Sequence, residues 1–533
     1  MKHGKLISVG LVLIASIRIA ATYIVFNHST DEPIHIACGM EWLDRGVYQL
    51  EAQHPPLARV ASAIGPYLLG LRYPAISKKD IYSMTLIGNA ILYRSQRYDL
   101  SLSLARLGIL PFFWIACLVM YQWGRRFSPA VAVVAVGLFS FLPTVLAHAS
   151  VATTDMALGA FLGAAFLCGW QWMEAPTVKN AVLFGASAGL MVLSKFSGMI
   201  FFPAIAALAL AWYGWRFRPK LAALFNDVRV RAPGFVLAVL VGAIVIWAGY
   251  RFSFGKVHFA ELSLPAPELY RGVAEVRLHN AIGHYAYLLG QRSEAGFWYY
   301  YPIALSYKTP IGFLVLLAIG LLLAIRDRGK QGAGFTVAFA AGILLVGAFS
   351  RINIGVRHIL PVYLAFSVLA AVAVVRIWES RLRAARALIL VPLLWYAASS
   401  VFSHPDYLAY FNEFAGGEPE KILVDSDLDW GQDVKRLAGR LRELGVTEVT
   451  FAHGGILESE KQHGMPRLIR RMDVNFPNPG WTAVSLTFLK AMRLGLAQTD
   501  TVTIPWPERY QPVERVGKSF LLYYVSPTAI PAR

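Results

Sequence analysis

Long apolar runs separated by short polar connections dominate this chain. They occupy residues 7–26, 102–123, 130–147, 156–173, 181–193, 198–215, 233–250, 310–325, 334–349, 359–375 and 388–402. A helix needs roughly 20 apolar residues to cross a bilayer. The longer runs therefore predict membrane-spanning helices, and the shorter ones tilted or broken partners, about eleven spans in all. Patterns at 57–71 and 81–93 are too short to span and predict helices lying along the interface. Both fall in a long first connection, 27–101. A second long connection, 251–309, is rich in Tyr, Trp and His, which suits a membrane surface. After residue 402 the periodicity changes. Short apolar stretches at 421–424, 447–452 and 519–525 predict strands. Val434, Leu437, Leu441 and Leu444 give 433–444 a helical spacing that Gly445 ends. The predicted fold is an α-helical polytopic membrane protein in two parts, a transmembrane module over 1–402 and an α/β domain over 403–533. No repeat of 20–50 residues and no low-complexity segment interrupts it.

Composition sharpens this picture. Only 15% of the 533 residues are charged and 56% are hydrophobic, whereas soluble domains carry about 25% charged residues. A disordered chain, a collagen-like chain and an ordinary soluble enzyme are excluded. The net charge is +18, and its placement explains it without nucleic acid. Lys2 and Lys5, Arg125 and Arg126, Lys179, the group Arg216, Arg218, Lys220, Arg229 and Arg231, then Arg326, Arg328 and Lys330, and finally Arg376, Arg381, Arg383 and Arg386 fall on alternate connections. Cytoplasmic loops collect such residues, so the N-terminus is expected inside and the tail from 403 outside a plasma membrane. Cys38, Cys117 and Cys168 are too few for a disulfide framework. The run at 7–26 has no small-residue cleavage site and reads as an uncleaved first helix.

Chemistry collects on the connections expected outside. Asp31-Glu32-Pro33 opens the first loop. Acidic residues before a Pro mark a helix start; equally, a carboxylate beside lipid has a raised pKa that suits a general base. His54-Pro55-Pro56-Leu57-Ala58-Arg59 makes a rigid turn before a helix, in which His54 and Arg59 could touch an anion. Asp155 follows Thr153-Thr154 and reads either as part of a cap or as a second carboxylate on the side of Asp31. Two such groups could divide acid and base roles or hold a divalent cation. Lys195, Lys308, Arg351, Arg357 and His358 break the expected scarcity of cations outside. Snorkelling explains single cases; a cluster calls for an anion, most simply a lipid phosphate. In the tail, Asp427, Asp429, Trp430, Gln432 and Asp433 form an acidic and aromatic group. It suits either sugar binding or a capped helix with a buried Trp. The aromatic loop 251–309 suits sugar stacking as well.

In their order, these motifs resemble the GT-C superfamily of integral-membrane glycosyltransferases. Bacterial members akin to protein O-mannosyltransferases and to lipid A aminoarabinose transferases are the most similar in pattern. The resemblance rests on Asp31-Glu32, on Gly39 to Tyr48 running into His54-Pro55-Pro56-Leu57, and on Ala147-His148 through Thr154-Asp155. It rests also on Lys195, Tyr307-Lys308-Thr309-Pro310 and Arg357-His358-Ile359-Leu360-Pro361. The tail segments His404-Pro405-Asp406-Tyr407 through Asn412-Glu413 and Asp429-Trp430-Gly431-Gln432-Asp433 look like those of an uncharacterised bacterial branch.

The resemblance implies inverting transfer of a sugar from a polyprenyl-phosphate donor to an acceptor hydroxyl on a glycan, lipid or protein. Asp31 would be the general base, Glu32 its neighbour and Asp155 the second-loop carboxylate. Lys195, Arg357, Arg351, His358, Lys308, His54 and Arg59 would face the donor phosphate. Asp429, Trp430, Gln432 and Asp433 are candidate acceptor contacts, and the metal requirement is left open. A transporter or lipid-carrier flippase is the principal alternative, although transporters place ionisable residues near the midplane and within repeats. A scaffold whose tail binds an envelope partner is a second.

Overall fold

Every apolar run folds as helix. The computed structural model describes residues 2–75, 81–94, 96–257, 260–326, 331–380, 382–453, 463–469, 472–473, 475–490 and 505–526. Among these, seven helices are long and apolar enough to cross a membrane: His3–Ala20, Tyr98–Arg125, Asp155–Glu174, Gly198–Phe217, Asp227–Gly249, Val362–Glu379 and Arg383–Phe402. The pair Pro129–Ser140 and Pro143–Ala149, bent by 67°, is either a broken eighth span or a re-entrant loop. The bend has a local cause. Pro143 disfavours helical backbone at the residue before it, and Leu142 is extended (φ −63°, ψ 126°). The runs expected to be short are helices too, Val178–Ser194, Ile311–Arg326 and Gln331–Ala348. Arg328, Lys330 and Arg381, counted among the basic connections, lie outside the described residues.

The protein is thus a multi-pass integral membrane protein, and its burial pattern fits lipid as solvent. Only 11% of the apolar window in Asp227–Gly249 is buried, against 78% in Val362–Glu379. The first flank faces hydrocarbon and the second forms the centre of the bundle. Close helix contacts use small residues, as in other membrane bundles. A Cβ on Gly88 would stand 2.0 Å from the Pro33 carbonyl oxygen. The Ile81–Tyr93 helix therefore presses directly on Glu32–Met40, the helix that positions the first-loop carboxylates. Gly88→Ala is expected to destabilise the protein by about 1–3 kcal/mol, read as a lower unfolding midpoint in detergent.

The first connection holds Glu32–Met40, Pro56–Leu68 and Ile81–Tyr93, so both short amphipathic patterns are helices. The tail is the expected α/β unit. Its sheet has the order Arg467–Ile469, Glu448–Ala452, Gly480–Ser485, Phe520–Val525, Glu514–Val516. The first three strands are parallel, and Phe520–Val525 runs antiparallel to both of its neighbours. Helix Val434–Glu443 packs Val434, Leu437 and Leu441 on Val449, Ala483 and Leu522.

One expected strand is absent. Residues 421–424 leave a 3-10 turn, Pro419–Lys421, and run irregularly. Ile422 and Leu423 are apolar because they enter the core of the transmembrane bundle, and the Ile422 carbonyl accepts from the Leu289 amide. Residues 403–433 therefore join bundle and sheet: Tyr407, Ile422 and Leu423 enter the bundle core, while Ala409 and Leu428 pack with Leu486. They carry the tail onto the first loop, where the Thr30 amide bonds the Trp430 carbonyl and Asn27 Nδ2 bonds the Gly431 carbonyl at 2.7 Å.

Candidate active site

Asp31 sits at the N-cap of helix Glu32–Met40, yet its side chain makes no capping bond. Its Oδ2 accepts instead from Arg357 Nη1 at 2.8 Å. Asp155 opens helix Asp155–Glu174, again with no side-chain cap recorded at the terminus. Its Oδ1 accepts from Lys195 Nζ at 2.6 Å and its Oδ2 from Thr153 Oγ1 at 3.3 Å. The helix-start reading thus does not account for either carboxylate. Lys195 follows Val178–Ser194, where the backbone turns extended (φ −162°, ψ 135°) and ends the helix. Arg357 lies in the 3-10 turn Val356–Ile359, entered through Gly355 at φ 133°.

The two ion pairs lie within electrostatic reach of one another. Arg357 feels Asp31, Asp155 and Asp425. His358 feels Lys195, Arg357, Asp155 and His54, and His54 in turn feels Lys195. Burial, reinforced by the two cations, holds His358 well below the usual imidazole range. Burial also lowers His54, against the opposing pull of Glu51. Both rings are neutral at pH 7 and so offer one donor and one acceptor each. Among the described residues, Arg357 Nε, His358 Nε2 and His148 Nδ1 are buried polar atoms without a hydrogen-bond partner. Buried polar atoms are ordinarily satisfied, so this grouping marks a place for ligand atoms. The Arg357 guanidinium lies 4.2 Å over the Trp430 ring, and His148 meets the same ring edge-on. His148, in the motif Ala147-His148, reaches this place because helix Pro143–Ala149 is bent off its predecessor at Leu142.

Other sequence candidates are placed differently. Glu32 points away from Asp31 into a closed network, accepting from Arg106 Nε and Nη2 at 2.8 and 2.9 Å and from the Ala152 and Ser29 amides. Arg59 is buried against Glu51, Tyr48 OH and His35 Nδ1. Lys308 Nζ ties the Leu408 and Asp427 carbonyls at 2.8 and 2.5 Å, with Phe411 beneath it. Burial pulls its pKa down to about 8. Arg351 is exposed and reaches the Ala281 carbonyl at 3.4 Å.

In the tail, Asp429 accepts from Ser485 Oγ, the Thr487 amide and the Gly431 amide. Asp433 accepts from Arg436, Ser519 and the Lys518 amide. Gln432 closes its own turn through the Leu428 carbonyl and the Trp430 amide. Of that group Trp430 alone lies against the ion pairs. Among the described residues, no cluster of three or more His, Cys, Asp or Glu is arranged to hold a metal ion.

Comparison with known proteins bears on the fold. Residues 105–226 match the family model described as dolichyl-phosphate-mannose-protein mannosyltransferase. No curated protein matches by sequence. Among solved structures, ArnT from Cupriavidus metallidurans bound to undecaprenyl phosphate superposes with a TM-score of 0.53 at 15% identity, covering 98% of this chain and 99% of that one. Its apo form gives 0.51 at 14% identity, covering 96% and 97%. An oligosaccharyltransferase from Archaeoglobus fulgidus, in complex with zinc and sulfate, gives 0.51 at 12% identity, covering 98% of this chain and 74% of that one. Over nearly its whole length the chain shares the fold of the ArnT structures, and the resemblance read from its motifs is borne out.

Proposed function

We propose that this protein is a membrane glycosyltransferase that moves a sugar from a polyprenyl-phosphate carrier to an acceptor hydroxyl, with inversion, at the outer face of the plasma membrane. The observation that carries the reading is the ion pair Asp31–Arg357 within electrostatic reach of Asp155–Lys195, with unpartnered Arg357 Nε, His358 Nε2 and His148 Nδ1. Cations held by carboxylates at helix ends suit a donor that brings its own phosphate. That ArnT was solved with undecaprenyl phosphate supports a carrier of the same kind here.

In this reading Arg357 and Lys195 receive the phosphate oxygens, and charge stabilisation replaces protonation of the leaving group. Arg357 turning to phosphate releases Asp31. The acceptor oxygen then attacks C1 of the sugar from the face opposite the phosphate. Its proton passes to Asp31, the C1–O bond to phosphate breaks, and the electron pair stays on the phosphate. His358 and His148 donate to phosphate or sugar oxygens, and the Trp430 face borders the acceptor side. The charges of the site sit at helix ends and in turns, which disfavours a transporter, whose ionisable groups lie near the midplane.

Lipids co-purifying in mild detergent test the reading. Mass spectrometry is expected to find an isoprenoid phosphate or its glycosylated form enriched in the wild type and lost in Lys195→Ala/Arg357→Ala. Bulk phospholipid alone in both samples would overturn it.

A further inference from the structure

A helical turn begins with backbone amides that have no partner inside it. The 3-10 turn Val356–Ile359, which carries Arg357 and His358, has no side-chain cap at its N-cap residue. That residue is Gly355 at φ 133°, in a region that glycine enters at little cost. A Cβ there would stand 2.5 Å from Ser426 Oγ. A residue with a side chain does not fit the position, so the turn is not capped locally. The missing acceptor comes from the tail. The Val356 amide donates to Asp427 Oδ1 at 3.1 Å, across 71 residues of sequence. Beside it, Ser426 Oγ donates to the Ile354 carbonyl. Asp427 is itself 1% exposed and held from two sides. Lys308 Nζ bonds its carbonyl at 2.5 Å, and Tyr300 OH stands 3.5 Å from its Oδ2. Thr487 Oγ1 accepts the Asp425 amide and donates to the Asp429 carbonyl, both at 3.0 Å. This ties the tail turn to the end of strand Gly480–Ser485. The same stretch supplies Trp430, whose ring lies 4.2 Å from the Arg357 guanidinium. The tail thus holds Arg357 at its backbone and at its head.

We propose that Asp427 is a positioning residue for the donor phosphate: it caps the Val356–Ile359 turn from the tail and so aims Arg357 at that phosphate. The inference rests on the transferase reading. Asp31 holds the guanidinium at 2.8 Å, and in that reading the bond is given up when the phosphate arrives. From then on the aim of Arg357 depends on its backbone and on Trp430. A guanidinium presents its donors in a rigid fork, so a turn that shifts misdirects all of them together. Docking of the tail is therefore a condition of donor binding. Lys308, read from the sequence as a phosphate contact, serves the phosphate at one remove by holding the Asp427 carbonyl.

Two measurements on the purified full-length protein test it. Hydrogen exchange across residues 352–360, read by mass spectrometry, needs no ligand. Asp427→Ala is expected to speed exchange there. Asp427→Asn, whose amide oxygen still accepts from Val356, is expected to stay near wild type. Unchanged exchange in Asp427→Ala overturns the clamp. The second measurement is the Kd for undecaprenyl phosphate as probe. Asp427→Ala is expected to raise it about ten- to hundredfold, the range for losing a hydrogen bond to a charged group, and Asp427→Asn to recover most of that. In an Arg357→Ala background, Asp427→Ala should add nothing, because residues acting through one another are not additive. Equal losses in both backgrounds would make Asp427 a support of the fold at large and overturn the inference. If Asp427→Ala does not accumulate as folded protein, Ser426→Ala replaces it. That variant loses the bond to the Ile354 carbonyl, and the same non-additivity with Arg357→Ala is expected. Failure of the wild type to bind the probe would instead overturn the transferase reading, while the exchange result still decides the clamp.

Discussion

Asp31→Asn is expected to lower sugar transfer by about 10²–10⁴-fold, the range for loss of a general base, while protein abundance and unfolding midpoint stay near wild type. The side chain is partly exposed, at 31%, and bonds one partner, Arg357. Its side chain makes no capping bond to helix Glu32–Met40. Asn can still accept from Arg357 but cannot take a proton. The substitution therefore separates two roles that the ion pair merges. If Asp31 served only to orient Arg357, the amide would preserve most of that orientation and activity would fall little. The measurement is transfer of labelled sugar from a polyprenyl-phosphate donor in reconstituted membranes, beside retention of the lipid phosphate. Loss of transfer with lipid retained supports the base; loss of both makes Asp31 a support for Arg357.

The contrast between Asp31 and its neighbour shows what was legible in the sequence. Helix positions were readable because the hydrophobic period that drives burial is written in the residues themselves. The order Asp31, Asp155, Lys195, Arg357 was readable because charges at apolar helix ends are scarce enough to stand out. Which way each side chain points was not. Asp31 and Glu32 look interchangeable in sequence, yet a single step along the backbone sends Asp31 to Arg357 and Glu32 to Arg106. Lys308 looked like a phosphate ligand and is occupied by the Leu408 and Asp427 carbonyls, a partnership set by how residues 403–433 fold back. The strand expected at 421–424 failed for the same reason: a short apolar stretch records burial, and here the burial is against helices. The part played by Asp427 was hidden in a run of acidic residues, Asp425-Ser426-Asp427-Leu428-Asp429, whose members have distinct partners only once the turn is clamped on Gly355. In the tail, Asp429 and Asp433 drew attention as acids beside Trp430, and their bonds to Ser485, Thr487, Lys518 and Ser519 are contacts between segments far apart in sequence.

Glu32→Ala is expected to have the largest effect on stability of any single change in the first loop. Glu32 is 0% exposed and Arg106 2%. The carboxylate accepts four bonds, two from Arg106, one from the Ala152 amide at 2.8 Å and one from the Ser29 amide at 2.7 Å. Arg106 spends its remaining donors on the Tyr23, Phe26 and Asn27 carbonyls. The pair thus pins the end of the first helix, the start of the first loop and the second loop to one another. Removing one member leaves the other charged and buried, which costs about 3–5 kcal/mol. The expected result is a sharp loss of folded protein in membranes and a lower unfolding midpoint for what remains, at all pH values. Glu32→Gln keeps the shape but leaves Arg106 uncompensated, so it recovers little. The pH dependence supplies a second check. Burial pushes the Glu32 carboxyl up, but Arg106 and the two amides together hold it below its ordinary value of 4.5. A depressed carboxyl contributes stability above its unfolded pKa and loses it as pH falls through the folded value. Wild type should therefore lose stability on acidification below about pH 4, and Glu32→Gln should lose that part of the slope. Asp31→Asn should leave the slope in place, because Asp31 is not part of this network. A stable, active Glu32→Ala protein would instead make the two adjacent carboxylates alike in role and remove the division of labour between them.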